Sequence, residues 1–201
     1  MSKTKSDLVV STFERELSRR DFFDKIITTG VAGAIATILP VNGLGSPNPA
    51  RPAPQPNWRR CARCLTMFYN GFRDKGRCPA GSGGHRASTP QVVNGGDYKL
   101  PYGPGWPGQS DWRYCTKCHV LFFDGFPTKG VCPTGGGHVA QGYNFTLLHD
   151  TTGAGTRDWR FCNKCDGMFY NGWNEKGICP AGGGHVAQGY NFLLANSVRF
   201  D

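Results

Sequence analysis

DWRFCNKCDGMFYNGWNEKGICPAGGGH, residues 158–185, is the stretch that decides how this chain is read. Trp159 and Arg160 lead into the Cys-x-x-Cys pair Cys162 and Cys165, Cys179 follows fourteen residues after the second cysteine, and a glycine run ends in His185. The pattern stands twice more, as DWRYCTKCHVLFFDGFPTKGVCPTGGGH over 111–138 and NWRRCARCLTMFYNGFRDKGRCPAGSGGH over 57–85. A unit that recurs with its spacing intact reports a recurring supersecondary structure.

The three copies use all 9 cysteines. Their ligand sets are Cys61, Cys64, Cys78 and His85; Cys115, Cys118, Cys132 and His138; and Cys162, Cys165, Cys179 and His185. Three thiolates and an imidazole are the donors of a closed tetrahedral zinc site that leaves no position for water or substrate, so the expectation is three structural zinc ions. The extra residue before His85 is absorbed by the loop Ala80-Gly81-Ser82-Gly83-Gly84, since glycine adopts backbone angles closed to other residues. Disulfides compete for the same residues, but an odd number of cysteines per copy leaves thiols unpaired. A Cys-x-x-Cys disulfide beside a reactive Cys and His, as in a thiol redox enzyme, is the rival use. The c-type haem pattern formed by Cys115, Cys118 and His119 is set aside, because the other copies carry Leu65 and Asp166 in place of His119.

Near the N-terminus, Ser18-Arg19-Arg20-Asp21-Phe22-Phe23-Asp24-Lys25 precedes an apolar stretch from Ile26 to Leu39, shorter than the ~20 residues a bilayer-spanning helix needs. With Arg19, Arg20 and Phe22 as its signature, this segment resembles the twin-arginine (Tat) export signal. The resemblance implies a signal peptide over 1–45, the Tat translocase as a transient partner, export in the folded state, and a periplasmic or extracellular protein without a stable membrane anchor. It suits the metal reading, because thiolates are kept reduced in the cytoplasm, where the ion would be loaded. Residues 46–56, rich in Pro, Ala and Asn, read as a linker.

The folded part is then 57–201, with repeats of about 57–110, 111–157 and 158–201. Units this small lack a sufficient core of their own, and a metal ion supplies the deficit. Short strands are predicted at Trp58-Arg59-Arg60-Cys61, Met67-Phe68-Tyr69, Gly76-Arg77-Cys78 and Tyr98-Lys99-Leu100 and at their counterparts. Asn70-Gly71, Asp124-Gly125 and Asn171-Gly172 are expected to form tight turns. Four strands taken three times predict an all-β, pseudo-threefold, β-trefoil-like architecture; three tandem zinc-ribbon-like modules are the alternative. Arg86 to Ser110 reads as an inserted loop. The recurring Trp58, Trp112 and Trp159 read as core.

From Ser46 onward, 17 Lys and Arg face 9 Asp and Glu, a balance of +8 that three Cys3His zinc sites would lower to about +5. That moderate excess narrows the partners only slightly: a basic, aromatic surface suits nucleic acid too, but an exported protein meets anionic envelope polymers and glycans first. Asn70 with Phe72, Asp124 with Phe126, and Asn171 with Trp173 are the candidate ligand contacts, since a ring beside a polar group suits a sugar. No Ser/His/Asp set, phosphate loop or carboxylate pair supports hydrolase or transferase chemistry. The function expected is a secreted binding module. A metal-dependent or thiol enzyme and a metal buffer are the alternatives. The repeats resemble, in general terms only, tandem Trp- and Cys/His-rich units of secreted proteins, a likeness that carries no activity.

Overall fold

The computed structural model describes residues 51–89 and 96–196. The twin-arginine segment, with Arg19, Arg20 and Phe22, lies outside the described residues. The fold is all-β: three antiparallel sheets of three strands, each built by one repeat. In the first, β1 (Gln55–Arg60) lies between β2 (Met67–Tyr69) and β3 (Tyr98–Leu100). In the second, β4 (Gln109–Cys115) lies between β5 (Leu121–Phe123) and β6 (Ala140–Leu147). In the third, β7 (Thr156–Cys162) lies between β8 (Met168–Tyr170) and β9 (Ala187–Leu194). Among the described residues no helix is long and apolar enough to cross a membrane.

Each central strand is irregular at the residue that opens its repeat, and β4 and β7 shift register once more, after Arg113 and Arg160. Asn57, Asp111 and Asp158 have φ of 70°, 65° and 65°, and the register shifts there in all three sheets. Asn and Asp tolerate this left-handed conformation better than other side chains. In two repeats the bulge is pinned across the sheet: Asn144 Oδ1 accepts from the Asp111 N–H at 2.8 Å, and Asn191 Oδ1 from the Asp158 N–H at 2.8 Å. The bulge directs the next residue, a tryptophan, inward.

Trp58, Trp112 and Trp159 are fully buried, as the sequence suggests, and each meets a ring of the following repeat edge-on. Trp58 packs on Phe145 at 5.1 Å, Trp112 on Phe192 at 5.1 Å, and Trp159 on Tyr98 at 5.2 Å. The series runs from the first repeat to the second, the second to the third and the third back to the first. Backbone bonds trace the same circle: Tyr69 N–H donates to His119 O, Phe123 N–H to Asp166 O, and Tyr170 N–H to Leu65 O. The repeats thus share one closed core, whereas modules merely strung in a row would lack the return contact.

Four expectations are corrected. Gly76-Arg77-Cys78 and its counterparts are irregular, so each repeat has three strands and not four. The reason is Gly76, whose φ of 62° turns the chain so that a Cβ there would lie 2.3 Å from Cys118 O of the next repeat. Gly130 and Gly177 approach Cys165 O and Cys64 O in the same way, at 2.2 and 2.3 Å. The Asn-Gly and Asp-Gly pairs do not use positive φ; Gly71, Gly125 and Gly172 are instead overlain by the rings of Tyr69, Phe123 and Tyr170. The linker ends earlier than residue 56, because Gln55 already pairs with Leu100 in β1.

The inserted residues are also placed differently. Tyr98 to Gln109 spans the same interval as Phe145 to Thr156, so the Pro/Gly-rich loop after β3 is no longer than its counterpart. The extra residues lie between Ser88 and Tyr98, where β6 and β9 run uninterrupted.

Candidate metal centres and the junctions between repeats

Each Cys-x-x-Cys pair sits on a tight knuckle between the first two strands of its sheet. Leu65, His119 and Asp166, directly after the second cysteine, have φ of 63°, 67° and 61°, and their N–H groups donate back to Cys61, Cys115 and Cys162 carbonyls. The third cysteine and the histidine arrive from the glycine loop, which is fastened by His85 N–H to Lys75 O and its equivalents. All twelve predicted ligands are buried, and within each set the donor atoms lie within 4.8 Å of one another.

The geometry fits a tetrahedral ion. Zinc–sulfur bonds of about 2.3 Å and zinc–nitrogen bonds of about 2.0 Å place sulfurs roughly 3.8 Å apart and sulfur and nitrogen roughly 3.5 Å apart. Cys61 and Cys78 Sγ are 3.9 Å apart, and Cys162 and Cys179 Sγ 4.0 Å. Histidine Nδ1 lies 3.4, 3.4 and 3.5 Å from Cys64, Cys118 and Cys165 Sγ. Disulfide sulfurs would be about 2.05 Å apart. All nine cysteines are free. Three buried Cys3His groups could therefore each hold a metal ion, with zinc suited to the donor set.

Proton affinities inside the clusters are strongly perturbed. Hydrogen bonds from Cys64, then Cys78, pull the Cys61 thiol well below the ordinary thiol range against the opposing effect of burial. Burial, reinforced by Cys61, pushes Cys64 up. Burial also acts to lower His85, but Cys61 and Cys78 outweigh it and raise the imidazole to about 9; His138 and His185 are likewise raised to about 9. These protons are the ones an ion displaces, because its ligands bind deprotonated.

With Nδ1 turned to the sulfurs, the other ring nitrogen faces the neighbouring repeat. His85 Nε2 donates to Cys118 O at 3.1 Å, and His138 Nε2 to Cys165 O at 3.0 Å. Such partners fix the tautomer and orientation of a ligand histidine. His185 Nε2 is buried and has no partner among the described residues, although Gly177 and Tyr170 reach the first repeat's knuckle as their counterparts do. Under each imidazole lies a phenylalanine: Phe68, Phe122 and Phe169 stack on it at 4.9, 4.8 and 4.8 Å. His119 binds no cluster; its ring packs against Tyr114 and Phe72.

The candidate ligand contacts at the turns are not three equal exposed sites. Phe72 is 50 % exposed, Phe126 only 6 %, and Trp173 is half-buried. Each ring reaches the next repeat, a non-local contact that the local turn pattern could not reveal. Phe72 meets Tyr114 at 6.1 Å, Phe126 meets Phe161 at 5.8 Å, and Trp173 lies 3.9 Å from the Arg60 guanidinium. Of the accompanying polar residues, Asn70, Asp124 and Asn171 donate backbone N–H groups to Asn57, Asp111 and Asp158 carbonyls. Their own carbonyls accept from Lys75, Lys129 and Lys176. These residues serve the turn's own structure.

Sequence reasoning passed over two stacked pairs at repeat boundaries, partly exposed with Tyr143 the most open: Tyr102 with Tyr143 at 3.9 Å, and His149 with Tyr190 at 3.8 Å. Arg60 was also passed over; its place beside Trp173 is visible only once the third repeat closes on the first. Compared with protein-family models, curated proteins and solved structures, the chain has no significant match.

Proposed function

We propose that this protein is an exported, zinc-stapled binding module, with a β-trefoil-like scaffold and an anionic envelope polymer or glycan as ligand. The observation that carries the structural role of the metal is the burial of every cluster, each with four protein donors at tetrahedral spacing. A closed set offers no coordination position for substrate, so the ions act on folding free energy and not on a reaction. Ring closure supports the trefoil-like description, and the moderate basic balance together with the partly exposed Tyr102–Tyr143 and His149–Tyr190 pairs supports a polymer bearing both sugar faces and negative charge.

Export rests on the resemblance of the first 45 residues to a Tat signal, and loading of metal before export agrees with it. R19K/R20K in the precursor should leave folded, metal-bound protein in the cytoplasm; unchanged export would remove this part of the reading.

Elemental analysis with thiol titration tests the metal. Purified mature protein should carry about three zinc ions and no reactive thiols, and chelation should unfold it, because apparent zinc-binding energies of ~10 to 16 kcal/mol become folding energy. Metal-free folded protein with oxidised Cys-x-x-Cys pairs would overturn the reading in favour of a thiol redox enzyme.

A further inference from the structure

Arg60 is a charged side chain buried where the third repeat meets the first. It is 1 % exposed; its Nε and Nη2 donate to Ser88 Oγ at 3.2 and 3.0 Å, and among the described residues its Nη1 has no partner. Its guanidinium lies over Trp173 at 3.9 Å and near Tyr170 at 5.4 Å. Among the described residues no carboxylate pairs with it. Removing such a charge from water is costly, and two bonds to one hydroxyl with a ring face offset the cost only in part.

The other junctions are built without this charge. Strand pairing aligns Arg60 with Tyr114 and Phe161, and the bridges Cys61↔Ala87, Cys115↔Ala140 and Cys162↔Ala187 align Ser88 with Gln141 and Gln188. They also align Arg86 with the exposed Val139 and Val186. The first repeat therefore has arginine at two positions where both sister repeats are uncharged. Neutralising the adjacent metal cluster does not account for Arg60, since the sister clusters have the same donors and no such cation. Both arginines line one cavity of about 360 Å³ at this junction, together with Arg63, Ser88, Thr89 and Trp173.

We propose that this cavity is an anion-binding site, which takes a single oxyanion group (a carboxylate, sulfate ester or phosphate ester) carried by a larger ligand. Arg60 supplies the unused Nη1 donor in a desolvated setting where a charge-assisted bond is strongest. Arg86 adds a second cation at the rim, the hydroxyls of Ser88 and Thr89 add polar contacts, and Trp173 forms an apolar wall. Guanidinium suits planar or tetrahedral oxyanions because its donors are held in a fixed fork. The site deepens the binding-module reading and rests on it only for the origin of the anion.

The test uses mature, metal-loaded protein titrated with sodium sulfate, inorganic phosphate or acetate at constant ionic strength in chloride. Tryptophan fluorescence and thermal unfolding are the readouts. At least one anion should bind saturably with a dissociation constant on the order of millimolar and raise the unfolding temperature. R86V, a surface change to the sister residue, should weaken binding about tenfold, as expected for loss of one charge-assisted contact. R60F/S88Q, which installs the third repeat's pair, should fold and lose binding altogether. No saturable binding beyond chloride, or equal binding by native protein and R86V, would overturn the site. Polymers bearing uronate, sulfate or phosphodiester groups, assayed with the same proteins, distinguish the sources. If inorganic anions bind and no polymer does, the site stands and the polymer reading falls; if polymers bind native protein and R60F/S88Q alike, the module stands and the site falls.

Discussion

The junction that closes the ring differs from the two before it. Between the first and second repeats, and between the second and third, aromatic meets aromatic and a ligand histidine donates to the next knuckle at 3.1 or 3.0 Å. Between the third and first, arginine meets tryptophan and His185 Nε2 has no partner among the described residues. Yet the glycine approach and the backbone bond from Tyr170 to Leu65 are kept. The backbone frame is thus threefold, while the side chains that fill it are not. The closing junction therefore differs in its filling and not in its frame.

The largest expected effect falls on Phe126, which is buried between Phe123 and Phe161. Phe126→Ala should cost about 3 kcal/mol or more, the usual result of emptying a buried aromatic site. Phe72→Ala, at the equivalent but half-open place, should cost under about 1 kcal/mol. Chemical denaturation measures both, and equal losses would erase the distinction between the junctions' interiors.

Next come the close approaches. Gly130→Ala and Gly177→Ala combine a left-handed residue with a collision against a backbone carbonyl, and each should cost on the order of 2 to 3 kcal/mol. Equal values would show that the closing junction is as tight as the others. A much smaller loss at Gly177 would show that it yields.

The smallest effect concerns the ions. Without an outer hydrogen bond on His185, the third cluster should release zinc first, with about tenfold weaker affinity than the first two. Competition with a chromogenic chelator, read as stoichiometric steps, follows it, and C162S marks which step belongs to that cluster. Simultaneous release of all three ions would mean that the orphan nitrogen has no consequence.

What the sequence reveals and what it hides separate along chain distance. The three Cys3His clusters were legible because cysteine spacing within one repeat is set by local knuckle geometry, which the structure reproduces at Leu65, His119 and Asp166. The buried tryptophans were legible by their recurrence. Gly76-Arg77-Cys78 was misread as strand because the feature that bends it, the Cys118 carbonyl, belongs to another repeat. Phe126 is no open ligand contact for the same reason: its cover is Phe161, far along the chain. Arg60 and Arg86 could have been found by aligning the copies and asking where one repeat bears charge and the others do not.

The bond from Tyr170 N–H to Leu65 O joins residues roughly twice as far apart in the chain as its two equivalents, so its loop-closure entropy is the greatest of the three. During synthesis the first two repeats can meet while the third is still being made, but the circle cannot shut until residues beyond Tyr170 have emerged. Completion of the core therefore follows synthesis of the third repeat. Until then the inner edge of the first repeat, with Tyr98 and Arg60, has lost neither its water nor its choice of partner.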